Sequence, residues 1–484
     1  MSKSIVSIIS NTPINTDGFY IPPHHVIDRV LESNGVDKSS IGVGGTLTEV
    51  LVREAVIFRL PQELLDTICG FATYRNNVWE GRGEWDYRAR QYTAYALCVV
   101  CKRLKKSAFQ LLYQSFKLEN FHTMFDLPAT PMGTDRDPLM FHSSLRANPS
   151  LRQLCTDLYI VFRTKSLEMD EPDRFEPMND LAQWLTNITR LKVDFCTPLE
   201  SAETNLTRTA LKCMRNLEEL TLGGPLSTNV FVDIPNLARL KTLALRNIGH
   251  LLNWEDSSMK NLKTLHLSDI SSTEDALTSL IRCPKRLEHF TLSHDYVVPR
   301  PHYRMPTIQS ALSLHRDSLR TISLPMIAQI GLEDMDLSQF SKLESIHISA
   351  SAFGHCTQKV AHSLFFGAQQ TRTFILELWC RGPCSFHHLW PAPDVDKIDW
   401  LGEFADIATP QNKHREIIIT FKLDTAFRRT DAVQISQLGY LWERLGEIRQ
   451  KLALKGIGLS YTPPPMTKAG FETIMSGHTR NERF

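Results

Sequence analysis

The stretch "NLKTLHL" at 261–267 decides the fold, because close copies of it recur along the chain. Each copy reads Leu-x-x-Φ-x-Φ, where Φ is an apolar residue. Apolar residues two positions apart point to the same side of a β-strand, so each copy predicts one strand with a buried apolar side. The intervals between the leading leucines are 23, 22, 25, 32 and 24 residues. These leucines are Leu217, Leu240, Leu262, Leu287, Leu319 and Leu343.

Helix-like stretches separate the strands, for example at 272–283 and 306–316. A strand and a returning helix repeated every ~20 to 45 residues are typical of a solenoid, and this motif resembles the leucine-rich repeat. The predicted fold class is therefore an α/β solenoid, an irregular leucine-rich-repeat horseshoe with a parallel sheet on the concave face and helices outside. Weaker copies extend the array over 150–462; they lie at 153–162, 188–195, 372–379, 416–423 and 455–461.

The copies depart from the usual motif three residues past the second Φ, where Asn or Cys is expected. This chain has other residues there: Pro225, Ile248, Ile270, Asp295, Ile327 and Ser351. We therefore expect no asparagine ladder, and units that are irregular in length and curvature.

The block at 56–120 is helical by pattern. Pro61 suits the first turn of a helix, and Leu64, Leu65 and Ile68 follow at spacings of three and four. After a polar insert at about 74–92, apolar residues again step by three and four along one stripe. These two or three short amphipathic helices are too few to form a well-buried core alone.

The stretches "LPQELLDTICGFA" (60–72) and "ALCVVCKRLKKSAFQLLYQSFKL" (96–118) resemble the F-box, a small all-α module that docks onto the Skp adaptor of cullin-based ubiquitin ligases. An F-box followed by leucine-rich repeats is similar to a large class of fungal substrate adaptors. The resemblance implies a set of adaptor-binding residues: Leu60, Pro61, Leu64, Leu65, Ile68, Leu97, Val100, Cys101, Leu104 and Leu111.

The resemblance implies a non-catalytic substrate-recognition subunit of a Skp adaptor–cullin–F-box E3 ubiquitin ligase, whose partners are the adaptor, through it a cullin, and a protein substrate. The alternative is a leucine-rich-repeat scaffold whose N-terminal helices only cap the array. Strand alternation places a second set of residues on the open face, where we expect substrate: Glu219, Thr221, Thr242, Arg246, Thr264, His266, His289, Thr291, Ser323 and His347. Few of the open-face positions carry a formal charge, which disfavours a multi-arginine phosphopeptide site.

No sequence pattern indicates chemistry, so no catalytic residue, metal or cofactor is expected. The chain has no Gly-x-Ser-x-Gly, His-Glu-x-x-His or nucleotide-loop motif. Three Cys and three His at 354–356 and 380–388 suggest zinc, but they lack a second well-spaced pair. Cys98 and Cys101 form a Cys-x-x-Cys inside an amphipathic helix, where packing is favoured over redox chemistry.

The composition limits the cellular compartments and the kinds of partner that are expected for this protein. The formal net charge is +1, so no overall field attracts nucleic acid or an anionic membrane. The longest apolar run, at 94–101, is far shorter than the ~20 residues of a membrane span. The N-terminus lacks a secretory signal pattern and cysteines are sparse, so we expect the cytoplasm or nucleus. Residues 1–55 and 463–484 read as a flexible leader and tail.

Overall fold

A computed structural model shows how these segments fold and describes a defined set of residues. They are 61–73, 93–98, 102–119, 137–162, 176–195, 201–226, 228–251, 254, 259–293, 304–325, 335–349, 370–380, 396–408, 415–423, 441–461 and 467–469. The predicted leader and the insert at about 74–92 lie outside them, as does most of the tail.

The chain divides into two compact units. The first consists of Met1–Thr197 and Lys212–Asn216, and the second of Pro198–Leu211 and Leu217–Phe484. None of the described helices is long and apolar enough to cross a membrane.

The first unit combines helices with three strands that pair in parallel and in chain order, β1 with β2 and β2 with β3. Residues 93–98 are also helical. Its elements are α1 (Gln62–Thr73), α2 (Lys102–Gln114), β1 (Ser115–Glu119), α3 (Asp137–Ala147), a 3-10 helix (Pro149–Leu154), β2 (Asp157–Phe162), α4 (Glu176–Trp184) and β3 (Arg190–Phe195).

The second unit carries nine described strands, β4 to β12, each paired in parallel with the next in chain order. Its strands are β4 (Glu219–Gly223), β5 (Thr242–Arg246), β6 (Thr264–Ser268), β7 (His289–Ser293), β8 (Thr321–Leu324), β9 (Ser345–Ser349), β10 (Thr373–Cys380), β11 (Arg415–Leu423) and β12 (Ile457–Tyr461). Its helices are α5 (Ser201–Cys213, most of which lies in this unit), α6 (Glu274–Arg282), α7 (Met305–Leu312), α8 (Asp396–Ile407) and α9 (Leu441–Leu454), with 3-10 helices at Thr228–Asn236 and Ser313–His315.

The parallel strand and helix arrangement predicted from the repeats is confirmed in each unit. The prediction that the block at 56–120 is all-α is wrong at its end, because Ser115–Glu119 forms β1 and pairs with β2. In the second unit, every strand from β4 to β9 begins two residues after a leading leucine of the motif, and all six of those leucines are buried. The first Φ residues pair across the strands as one apolar row: Leu220, Leu243, Leu265, Phe290, Ile322 and Ile346. Every residue of this row is 0% exposed, so the row forms the core side of the sheet.

Helix α6 shows why the segments between strands are helical. The Thr273 side chain accepts a hydrogen bond from the Ala276 backbone N–H, which caps the helix N-terminus. Leu277, Leu280 and Ile281 lie at helical spacing and are 0% exposed, so this face of α6 joins the core.

Three strands end in the same left-handed corner. The residues just past β4, β5 and β6 are Gly224, Asn247 and Asp269, with φ of 102°, 53° and 54°. Each donates its backbone N–H to the last residue of the next strand, at 2.8, 2.8 and 3.0 Å. Gly, Asn and Asp tolerate this conformation best. The corner residue thus stands one position before the place where the usual motif has Asn, and that place is occupied by buried Ile248 and Ile270.

Candidate functional site

Helix α1 packs against α2 through a small apolar cluster. Leu65 and Cys69 are 0% exposed and Leu104 of α2 is 5% exposed, while Leu97 and Leu111 pack against them and are partly buried. A hydrogen bond of 2.7 Å from Gln62 Nε2 to Ser107 Oγ also joins the two helices. The inward side of α1 is therefore fixed by its own chain.

The other side of α1 is exposed and apolar. Leu64 is 49% exposed and Ile68 is 37% exposed, and Pro61 at the start of the helix is also exposed. The spacing of three and four residues sets them on one stripe. We call Pro61, Leu64 and Ile68 the α1 ridge. Single exposed leucines are common, but apolar residues on successive turns form a continuous strip of the kind that marks interaction surfaces.

The structure corrects the predicted adaptor-binding set. Leu65 and Leu104 are buried in the α1–α2 contact, so they support the helices and offer no surface to a partner. Leu97 and Leu111 lie at the edge of the same cluster. Leu60, Val100 and Cys101 lie outside the described residues. Tyr95, in the helical segment 93–98, is 51% exposed and was not singled out by the sequence pattern.

Basic side chains lie on the exposed side of α2. The first turns of α2 present Lys102, Arg103, Lys105 and Lys106 to solvent. A partner with acidic residues would be attracted to this surface on encounter. Burial raises the pKa of the Cys98 thiol, which makes the thiolate scarce and agrees with a packing role for this cysteine.

The second candidate surface is the side of strands β4–β9 that faces away from the leucine row, which we call the polar face. Alternation brings the predicted substrate-binding residues onto it, and all of them except Ser323 are half-buried. Ser323 is 8% exposed and is therefore a correction to the predicted surface. Its hydroxyl lies 3.0 Å from His347 Nδ1, so the buried hydroxyl has a hydrogen-bond partner.

Hydrogen bonds tie neighbouring strands together across the polar face. His289 Nδ1 lies 3.1 Å from Thr321 Oγ1, and the hydroxyls of Ser268 and Ser293 are 2.7 Å apart. These contacts hold side chains of adjacent strands in defined positions, so the face is pre-organised over β6–β8.

Glu377 extends the Ser323–His347 pair onto β10, with Oε2 3.4 Å from His347 Nε2. This carboxylate is 0% exposed, and the sequence analysis missed it. The signal that could have found it is alternation: Glu377 occupies a polar-face position of a strand that is otherwise apolar, "RTFILELW" at 372–379.

Ser323, His347 and Glu377 form a serine–imidazole–carboxylate chain, but its order differs from a hydrolase triad. There the serine bonds Nε2 and the carboxylate bonds Nδ1, whereas here the two nitrogens are exchanged. Ser323 also lies inside β8, whose backbone pairs with β7 and β9. Those N–H groups are engaged in the sheet and do not converge on an oxyanion. These side-chain contacts run across β8, β9 and β10.

His266 is the centre of the charged part of the polar face. The pKa of its imidazole is lowered by burial, and further by the nearby positive groups Arg246 and His289. None of the hydrogen bonds within the described part of the chain uses the His266 imidazole. Three nitrogen-bearing side chains thus converge here.

The cysteines and histidines that the sequence analysis considered as zinc ligands lie outside the described residues, apart from Cys380 at the end of β10. Among the described residues, no group of three or more His, Cys, Asp or Glu side chains is arranged to hold a metal ion.

No protein-family model matches the chain, and no curated protein matches it significantly. The two surfaces are therefore interpreted from their own chemistry.

Proposed function

We propose that the protein is the substrate-recognition subunit of a Skp adaptor–cullin–F-box E3 ubiquitin ligase. The α1 ridge docks onto the adaptor, and the polar face of β4–β9 binds the substrate. The protein itself catalyses nothing. It holds the substrate near a ubiquitin-conjugating enzyme, which makes the transfer effectively intramolecular.

The main support for the proposal is that α1 has one buried side and one exposed apolar stripe. Leu65 and Cys69 are buried, whereas Leu64 and Ile68 on the other side are apolar and exposed. Leaving large apolar side chains in water is unfavourable, and covering two half-exposed ones contributes about 2 kcal/mol. A partner that covers the ridge explains why these positions are apolar.

The polar face supports the second half of the proposal. Its hydroxyl and imidazole groups stand on paired strands, so they are positioned by rigid backbone and keep their order when a ligand arrives. The face is half-buried and polar, as expected of a surface that recognises a protein segment through hydrogen bonds.

Adaptor capture tests the proposal. The 484-residue chain, the double variant Leu64→Asp with Ile68→Asp, and the double control Leu314→Asp with Leu454→Asp are each mixed with an immobilised Skp adaptor. Leu314 is 65% exposed and Leu454 is 88% exposed, so their replacement introduces the same two negative charges without touching the ridge. We expect the wild type and the control to be captured equally, and capture of the ridge variant to fall by about a hundredfold or more because a charge must be buried.

Equal capture of all three proteins, or capture of none, would refute the ligase assignment. Limited proteolysis of the ridge variant separates lost docking from lost folding, because an unfolded α1–α2 pair would be cleaved faster than the same pair in the wild type. If the ligase assignment is refuted, the scaffold alternative remains, in which the N-terminal helices serve only as a cap.

A further inference from the structure

Three positively charged or chargeable residues run diagonally across neighbouring strands on the polar face of the second unit. Ala244 of β5 pairs with His266 of β6, and Arg246 pairs with Ser268. Arg246 is therefore one step diagonal from His266. On the other side, Thr264 pairs with His289 of β7, so His289 is diagonal to His266 in the opposite direction. Strands lie about 4.8 Å apart, which brings these long side chains within reach of one shared ligand.

Strands β4–β9 themselves carry little negative charge. Glu219 on β4 is their only carboxylate, and it pairs with Thr242, at the end of β5 farthest from Arg246. Asp269 follows β6 directly, and its backbone N–H bonds to the Ser293 carbonyl oxygen. The groups that face His266 from the adjacent strands are Arg246 on β5 and His289 on β7. Both disfavour a positive charge on its imidazole.

Hydroxyl groups surround the three residues. Ser268 and Ser293, bonded to each other at 2.7 Å, continue the row of Arg246, and Thr291 pairs with His266. Guanidinium, imidazole and hydroxyl groups all donate hydrogen bonds to oxyanions. Arg246 supplies a permanent charge, and the His266 imidazole can add a second one when an anion binds.

We propose that Arg246, His266 and His289 form a binding site for an acidic segment of the substrate protein, whose carboxylate or phosphate oxygens accept hydrogen bonds from these three side chains. The site spans three strands, so it suits a segment with several acidic side chains. Nucleic acid is disfavoured because the chain has a formal net charge of only +1. The inference rests on the proposed function of this face, and it names the class of substrate.

The site has a pH signature of defined sign. A bound anion stabilises the imidazolium form of His266 and raises a pKa that is lowered in the free protein. Binding is then accompanied by proton uptake, so affinity rises as the pH falls. A surface that only repels or ignores anions would show no such coupling.

Fluorescence anisotropy with the full-length chain tests the site. Three labelled probe peptides differ only at four alternate positions, which carry glutamate, phosphoserine or glutamine. We expect both acidic peptides to bind more tightly than the glutamine peptide by about tenfold or more. The relative affinity of the two acidic peptides identifies carboxylate or phosphate as the preferred source. Equal affinity for all three peptides would overturn the proposal.

Variants localise the effect. Arg246→Gln should weaken binding of the acidic peptides by about tenfold, and His266→Gln should remove most of the gain in affinity between pH 7.5 and pH 6. Glu219→Gln should strengthen binding slightly by removing a negative charge. Arg316→Gln is the matched control, because this arginine is 64% exposed beside Asp317 and lies outside the strands.

Unchanged binding in Arg246→Gln and His266→Gln, or equal weakening in Arg316→Gln, would refute the site. Arg246→Lys should recover part of the affinity, which separates lost charge from misfolding. Adaptor capture of the same variants is measured independently. Peptide binding that persists when capture fails would refute the ligase proposal and leave the anion site intact.

Discussion

In α1 the side chains that face away from the core are apolar at Leu64 and Ile68, whereas in strands β4–β9 the side chains that face away from the core are mostly hydroxyls and imidazoles. Both elements have one buried side, so the contrast lies in the outward positions. The strands show that this chain usually places polar residues where a surface meets water. Leu314 and Leu454 are exposed too, but each stands alone, whereas the ridge places two apolar side chains on successive turns of one helix. For this reason we propose that a partner covers the ridge.

The largest expected effect on stability comes from comparing a substitution on the core side of the sheet with one on its polar face. Phe290→Ala on the core side of β7 should lower the free energy of unfolding by about 3 to 5 kcal/mol, because it removes a fully buried ring and leaves a cavity. Thr291→Ala on the polar face should change it by about 0.5 kcal/mol or less. Denaturant unfolding followed by circular dichroism measures both, and similar losses would mean that the two sides are not distinct.

The same test applied to α1 addresses the ridge. Leu65→Ala should lower the free energy of unfolding by about 2 to 4 kcal/mol, since its side chain is completely buried against Leu104. Leu64→Ala should cost about 0.5 kcal/mol or less. A loss at Leu64 as large as that at Leu65 would show that the ridge is covered by the chain itself, and the comparison with the strands would fail.

A smaller effect concerns the corners that hold the strands in register. Asn247 has a φ of 53°, and replacing it with Ala should cost about 1 kcal/mol, whereas Asn247→Gly should cost less because glycine adopts this conformation freely. Thermal unfolding of the two variants makes the comparison. Equal thermal stability of the glycine and alanine variants would show that Asn247 does not contribute through its left-handed conformation.

The smallest effect concerns a buried histidine that is not on the polar face. His315 is 3% exposed, its Nε2 lies 2.8 Å from the Ile281 carbonyl oxygen, and its Nδ1 accepts from the Leu287 backbone N–H. Burial lowers its pKa below the model-peptide value of 6.5. The unfolded chain therefore binds more protons than the folded chain near this pH. The stabilisation of the fold by neutral His315 is complete above pH 6.5 and is lost as the pH falls.

Unfolding midpoints at pH 7.5, 6.5 and 5.5 measure this loss. In His315→Gln the decline with falling pH should be shallower than in the wild type, although His266, whose pKa is lowered too, contributes with the same sign. An identical decline in both proteins would assign the pH dependence to other groups. The contrast with the polar face is that His315 stabilises the fold as a neutral imidazole, whereas His266 is proposed to gain a proton with its ligand.

Much of the architecture could be predicted from the sequence, because it depends on the spacing of apolar residues within short segments. The Leu-x-x-Φ-x-Φ copies predicted β4–β9 and the side of each strand that is buried, since alternation is a property of the extended backbone. Helix α1 was likewise predicted from Pro61 and its apolar spacing. The corner residues Asn247 and Asp269 were not predicted, because they lie one position before the place where the usual motif has Asn.

The candidate sites depended on more than the pattern. Leu64 and Leu65 are the same residue type in consecutive positions, and only the packing of α2 onto one side of α1 made Leu65 core and left Leu64 exposed. Glu377 and His347 are 30 positions apart in the chain, and only the pairing of β9 with β10 brought them together. By itself the sequence determined which elements form and which of their faces are apolar, because backbone geometry sets those periods. The tertiary structure decided which apolar face remains uncovered and which polar groups meet, because that depends on contacts between residues far apart in the chain.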